Sequence, residues 1–314
     1  MPPIWERADC QLSVDAVAAL IHEQAGHIGF SRLRFLDEGW SSWAYVATDG
    51  DGNDWIFRFP KRRDVALRLQ RELAVLPLLH DRLPLPIPRF EVVGRPGDRY
   101  PHPFTGYRML AGTPALEWLE EPIDLAEAGR VAGTFLAALH DSPTEWERHA
   151  PAIEDDPDDE SPEEAVASAL AKLEAFGVGL PRRVRSAAAA ALARPAPPTP
   201  ARVLLHADFF PEHVLVHEGR LVGVIDWGDM GFGDPAEDLA GLYYWHGEAL
   251  LSAGIAAYGD ARGLSARARE QLAVRARTLC LVRAADDLEY GFLAGRPEYF
   301  GVAVRFLERF AAEV

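Results

Sequence analysis

Apolar residues recur at helical spacing over "SVDAVAALIHEQA", residues 13–25, behind Ser13 as a cap, and this pattern predicts a helix. Over "SRLRFLDEGWSSWAYVATDGDGNDWIFRFPKR" the period shortens to two. It is interrupted at Gly39 and at the turn "DGDGN", which reads as strands joined by a glycine loop and a hairpin. Helical spacing returns in "DVALRLQRELAVLPLLHDRL", residues 64–83, where Leu73, Leu76 and Leu79 form a core-facing stripe. Pro77 should bend or shorten that helix, because it lacks an N–H and its ring clashes with the preceding turn. Prolines then bracket short strand segments in "PLPIPRFEVVGRPGDRYPHPFTGYRMLAG". The first hundred or so residues thus predict a small sheet-rich unit with one prominent helix.

From about Leu125 the texture changes to long helical patterns. "LAEAGRVAGTFLAALHDS", "AVASALAKLEAFGVGL" and "RRVRSAAAAALAR" are three of them, and two more helices are expected after Leu239. Residues 151–164, "PAIEDDPDDESPEE", read as a solvated acidic loop, with a substrate-facing lid as the sharper alternative. "RPAPPTPA" reads as a stiff connector. No internal repeat of fixed period occurs.

Composition narrows the class. The chain has 314 residues, 48% hydrophobic and 25% charged, which fits a globular protein of one large domain or two lobes. No apolar run approaches the ~18 residues of a membrane span, and "MPPIWERADCQLS" lacks a signal pattern. With only Cys10 and Cys280, a disulfide framework is not expected and a reducing cytoplasm is the default setting. A formal net charge of -16 argues against nucleic acid as the main partner and suits a cationic ligand, although acidity also serves solubility alone.

The candidate chemistry lies in "LLHADFFPEHVLV", residues 204–216, and "LVGVIDWGDMGFGDP", residues 221–235. Val203 to Leu205 and Val214 to Val216 read as short strands, so Asp208 sits on the loop between them. "GRLVGVID" reads as a further strand ending at Asp226. A hairpin of this length can bring strand ends together, so that His213 and Asp226 can face one cavity. Two carboxylates and an imidazole at strand ends suit a divalent cation beside a base, and phosphoryl transfer needs that pairing. A cation for the phosphates is available in "WIFRFPK" as Arg58, with Lys61 just beyond it. Glu72 on the following helix is placed to fix Arg58, and Gly39, Ser41 and Ser42 offer a loop of backbone donors above the phosphates. The blander readings are that Asp208, Asp229 and Asp234 organise turns, that His206 is a structural histidine, and that Asp238 caps or braces a helix start.

The order of these pieces resembles the kinase-like antibiotic phosphotransferases, the aminoglycoside and macrolide phosphotransferase family, across nearly the whole chain. "HADFFPEH" is similar to the family's His-x-Asp loop, with His213 where an asparagine is usual. The branches acting on the 2″-hydroxyl of aminoglycosides and on macrolides look similar at this point. "IDWGD" resembles the metal-binding segment, "FGDPAEDLA" the sequence after it, and "FRFPKRRDV…RELAVL…RLPLPIP" the small lobe of both branches. The resemblance implies an α+β, protein-kinase-like fold of two lobes. Residues 1–107 would bind nucleotide, 108–112 would be the hinge, and 113–314 a helical lobe with catalytic loop and acceptor site.

It also implies roles. Asp208 would be the base or hydroxyl-orienting group, and Asp226 would hold Mg2+ with His213 beside it. Arg58, or Lys61 if the register differs, would stand where relatives carry a phosphate-binding lysine. In "GYRMLAG" the main chain of Arg108 and Leu110 would pair with the base of GTP or ATP. Tyr107 at the back of that pocket would favour GTP. For the acceptor, Glu237, Trp245, Glu248 and Asp287, with Asp286 and Glu289, suit a cationic sugar held by ion pairs and packed on an aromatic face. An aminoglycoside is therefore expected, with a macrolide as the alternative. Another hydroxylated metabolite and a nucleotide-binding pseudoenzyme stay open. A monomeric protein with no nucleic-acid or membrane partner is expected.

Overall fold

The computed structural model describes residues 7–118, 123–148, 161–199 and 202–313. Residues 151–160 of the acidic run and the last two residues of the proline-rich connector lie outside the described residues. The first helix, α1 (Val14–Ala25), begins as expected with the Ser13 hydroxyl accepting the Ala16 N–H at 3.2 Å.

Five strands follow in one antiparallel sheet: β1 (Arg32–Glu38), β2 (Ser42–Thr48), β3 (Asp54–Pro60), β4 (Val92–Gly94) and β5 (Phe104–Arg108), ordered β1-β2-β3-β5-β4. Because side chains alternate along a strand, the sheet has two chemically different faces. Tyr45, Trp55, Phe57, Phe59 and Phe104 are buried on one face and pack with Val17, Leu20 and Ile21 of α1. Burial of each such ring is worth about 1.5–3 kcal/mol. Position 106 in β5 must be glycine for this packing, since a Cβ there would lie 2.5 Å from the Phe57 ring.

The opposite face carries Val46, Ile56 and Tyr107 as a small separate cluster, and Arg58 at the same parity as Ile56. Helix α2 (Arg63–Leu79) lies beside it. Pro77 is accommodated inside the helix, which ends two residues later and not near residue 83, because a proline in the last turn removes only one late hydrogen bond. Leu76 and Leu79 are fully buried and join the core of the second lobe, so α2 couples the two lobes.

In the second lobe β6 (Thr113–Pro114), β8 (Val214–His217) and β9 (Arg220–Val224) form a small sheet, and β7 (Val203–Leu205) pairs with β10 (Gly231–Gly233). The helices are α3 (Leu125–His140), α4 (Pro162–Phe176), α5 (Arg182–Leu192), α6 (Ala236–Ala261), α7 (Ala266–Leu293) and α8 (Pro297–Glu313). Ser161–Glu164, the end of the acidic run, is no loop but a capping box that starts α4. Among the described residues α6, broken at His246 and Gly247, is followed by α7 and α8, more than the two helices expected after Leu239. Helix α8 is separate because Gly295, at φ 64°, and Pro297 break the last apolar stretch. No described helix is long and apolar enough to cross a membrane.

Candidate active site

The loop that carries Asp208 runs from the end of β7 to the start of β8 and is anchored from below. Asp238, fully buried in the first turn of α6, accepts the backbone N–H groups of His206 at 2.9 Å and Ala207 at 2.8 Å, and faces His140 Nε2 at 2.9 Å. Asp238 thus braces the loop and is not a helix cap. His206 Nδ1 accepts the Asp208 N–H at 3.2 Å while Nε2 faces the Ile225 carbonyl at 3.0 Å. Burial holds its pKa below the ordinary value, so the ring is a neutral spacer between loop and strand.

Ala207 and Asp226 both have positive φ, 66° and 58°, conformations costing roughly 1–2 kcal/mol for a residue with a Cβ. The surrounding hydrogen bonds hold Ala207 in that turn. Close packing fixes the loop's depth as well: a Cβ at Gly241 of α6 would sit 1.8 Å from the Phe209 carbonyl oxygen. Gly241→Ala is therefore expected to lift the loop, costing about 1–3 kcal/mol by overpacking. Thermal unfolding should show the loss, and turnover should fall with it; an unchanged melting temperature would contradict this packing.

Asp208 and Asp226 meet through His213. Its Nδ1 lies 3.0 Å from the Asp208 carbonyl oxygen and 3.2 Å from Asp208 Oδ2, and its Nε2 lies 3.7 Å from Asp226 Oδ2. Burial alone would pull the imidazole pKa down, but Asp208, Asp226 and Glu212 outweigh it and push the group up to about 10. For Asp208, burial acts upward, and Arg283 and His213 together hold it well below the usual carboxylate range. Asp226 is likewise lowered, by Arg58 and His213 against burial.

The linkage has a sign. His213 contributes stability that is fully present below its unfolded value near 6.5 and lost as pH rises through about 10. His213→Asn should flatten the fall of melting temperature between those limits. A mutant with the wild-type slope would sink this assignment.

Arg58 bridges the two lobes. Its Nη1 donates to Glu72 Oε2 at 2.9 Å and its Nη2 to Asp226 Oδ1 at 2.8 Å. Burial pushes the Glu72 carboxyl up to about 7, with Arg58 offsetting part of the shift. Lys61 is committed elsewhere: its Nζ donates to the Gly39 carbonyl at 2.7 Å and pairs with Glu38 at 2.9 Å, so it supports the glycine loop and does not stand beside Asp226. That loop is closed by Gly39 N–H to Ser42 O at 3.1 Å and Lys61 N–H to Ser41 O at 2.9 Å. Trp40 at its tip packs on Tyr290 of α7, 5.1 Å between ring centroids.

At the connection between lobes, Tyr107 is buried with Val46 and Ile56, edge-on to Phe90. The Arg108 side chain turns back over the Trp55 ring at 4.9 Å and towards Glu91 at 3.4 Å. With Leu110 it lines a cavity of about 400 Å³ together with Pro84, Pro86 and His80.

The acceptor residues expected from sequence divide. Trp245 is buried in the helical core and cannot offer a stacking face; proximity to acidic residues in sequence misled, because α6 turns this position inward. Glu237 turns back to accept the Asp234 N–H at 3.0 Å. Glu248 pairs with Arg277 at 2.7 Å, and Asp286 and Glu289 pair with Lys172 at 2.9 and 3.2 Å. Asp287 does belong to the Asp208 neighbourhood, but through Arg283, which sequence reasoning passed over. Asp229 contacts Arg68 of α2, and Asp234 accepts the Ala236 N–H at 2.9 Å while pairing with Arg275 at 2.6 Å.

The family model described as "Phosphotransferase enzyme family" matches residues 32–273. The chain belongs to that family. A hygromycin-B 4-O-kinase of Escherichia coli is 43% identical over 44 residues, 14% of this chain and 13% of that protein, so the match spans a small part of the curated relative's length. Similar folds are the GDP complex of wild-type aminoglycoside 2′-phosphotransferase-IIIa, with 23% identity, 96% and 99% of the two chains covered and a TM-score of 0.71. The macrolide 2′-phosphotransferase MphH of Brachybacterium faecium has 24% identity, 94% and 98% coverage and a TM-score of 0.64. The protein thus has the two-lobed, kinase-like fold.

In this family member the donor set fits a magnesium ion. Once it loses the Nε2 proton that its carboxylate neighbours favour, His213 would offer an Nε2 lone pair beside Asp226, giving one nitrogen and one carboxylate. The described residues hold no group of three or more His, Cys, Asp or Glu suited to a metal. A sparse protein donor set is what Mg2+ uses when phosphates and waters complete its octahedron.

Proposed function

We propose that the protein transfers the terminal phosphate of GTP or ATP, with Mg2+, to a hydroxyl of an aminoglycoside antibiotic. The observation that carries this reading is the Asp208–His213–Asp226 line facing the Arg58–Glu72 pair across the lobes. Residues 1–107 would bind the nucleotide, 108–112 would act as the hinge and 113–314 would present the acceptor. Main-chain groups of Arg108 and Leu110 would pair with the base beneath Val46 and Ile56. Tyr107 behind them supports a preference for GTP. Ser41 and Ser42 would lie over the phosphates, with Arg58 as the cation on that wall.

In the mechanism Asp208 orients the acceptor hydroxyl, its charge held by Arg283 and His213, and accepts the proton late, since it is a weak base. Asp226 and His213 would hold magnesium, which supplies charge neutralisation on the phosphates when bound, once His213 has given up the Nε2 proton that its carboxylate neighbours favour without the ion. Arg58 would release Asp226 and turn to the phosphates as a planar fork. Net acidity draws the cationic acceptor to the cleft.

A macrolide acceptor is the second reading. It is favoured by the engagement of the carboxylates nearest Asp208 with the protein's own Arg283, which leaves fewer anions for a polyamine. The deciding experiment is turnover of GTP and of ATP by purified protein with magnesium, across aminoglycosides and macrolides. A gain of one phosphate on one drug class assigns the acceptor. Nucleotide binding without phosphorylation of any drug would overturn the reading and point to another acceptor or to a pseudoenzyme.

A further inference from the structure

Arg283, on α7, sends each of three nitrogens to a different carboxylate. Nη1 reaches Asp208 Oδ1 at 2.5 Å, Nη2 reaches Glu212 Oε1 at 2.5 Å, and Nε reaches Asp287 Oδ1 at 3.0 Å. The guanidinium lies over the Phe210 ring, 4.4 Å from its centroid, and the Tyr244 hydroxyl donates to Asp287 Oδ2 at 2.5 Å. We propose that Arg283 is a positioning residue for the transfer reaction, fixing the Asp208 carboxylate in the orientation that receives the acceptor hydroxyl and tying the catalytic loop to α7.

The geometry over-determines that orientation. Asp208 is held at Oδ1 by Arg283 and at Oδ2 by His213, so neither rotation of the carboxylate nor a shift of the loop is free. Glu212 lies on the same loop, and its bond to Arg283 pins the loop at a second point. Asp287 in turn holds the guanidinium, and the Tyr244 hydroxyl of α6 holds Asp287. Without a cation among them, three carboxylates would repel and spread or protonate. A lysine ammonium could neutralise the cluster but not reproduce a flat three-way fork stacked on an aromatic ring.

This rests on the proposed transfer reaction, and the test separates the two. Arg283→Ala and Arg283→Lys are compared with wild type, using whichever drug the panel shows to be phosphorylated. Arg283→Ala should lower kcat about 100-fold, the scale of a misplaced reacting group, while GDP affinity and the nucleotide KM hold. Guanidinium chloride at tens of millimolar should restore part of that kcat in Arg283→Ala and none in wild type. Arg283→Lys should lose less than the alanine variant, and it serves if the alanine protein does not fold. Unchanged kcat, or a loss that guanidinium does not rescue and that GDP affinity shares, overturns the inference. If wild type phosphorylates no drug, the transfer reading fails. The crystal structure of the variant then decides: Asp208 rotated or displaced supports the positioning role, and Asp208 in place removes it.

Discussion

Asp208→Asn is expected to reduce drug-dependent turnover by about 10²–10⁴-fold, the usual contribution of a positioned acid or base, while GDP or ADP affinity holds. The substitution preserves volume and can still accept one hydrogen bond, so the loop should stay seated on Asp238 and Gly241. What it removes is the negative charge that faces His213 and Arg283 and that would hold the acceptor hydroxyl. Arg58, Glu72 and Asp226, which would face the nucleotide, are untouched. Steady-state kinetics beside calorimetric titration with GDP separates the two effects. Turnover within a few-fold of wild type would remove Asp208 from the reaction.

Arg58→Ala should strongly destabilise the protein. The guanidinium joins a strand of one lobe to Glu72 of α2 and to Asp226 of the other lobe, and Glu72 is 1% exposed. Deleting one partner of a buried pair leaves the other uncompensated, at a cost of about 3–5 kcal/mol. Urea denaturation should show the loss as a lower midpoint, and phosphoryl transfer should fail as well. Arg58→Lys should lose less, since one ammonium can reach one of the two carboxylates but not fork between both. If Arg58→Ala unfolds at the wild-type midpoint, the bridge is not what holds the lobes in register.

Local elements were readable because their causes are local. Ser13 before an apolar period, the alternation from Arg32 to Pro60, and the glycine turns specify α1 and the β1–β3 meander from neighbouring residues alone. Misreadings came where a neighbour did not decide. Trp245 beside acidic residues suggested a sugar-binding face, yet it lies in the core. Asp238 was indistinguishable from a cap until the loop it holds, 31 and 32 residues upstream, was brought against it. Arg283 carried no motif at all; its role exists only through three carboxylates supplied by one loop and its own helix.

The sequence by itself determined the order of the elements, the two-lobed class and the residue types that phosphoryl transfer requires, since periodicity and motif order are properties of short windows. Tertiary structure alone decided which charges face one another. Arg58 meets Asp226 across 168 residues and Arg283 meets Asp208 across 75. Pairings at such separations follow from how sheets and helices pack, and a buried charge finds its partner only after that packing has excluded water.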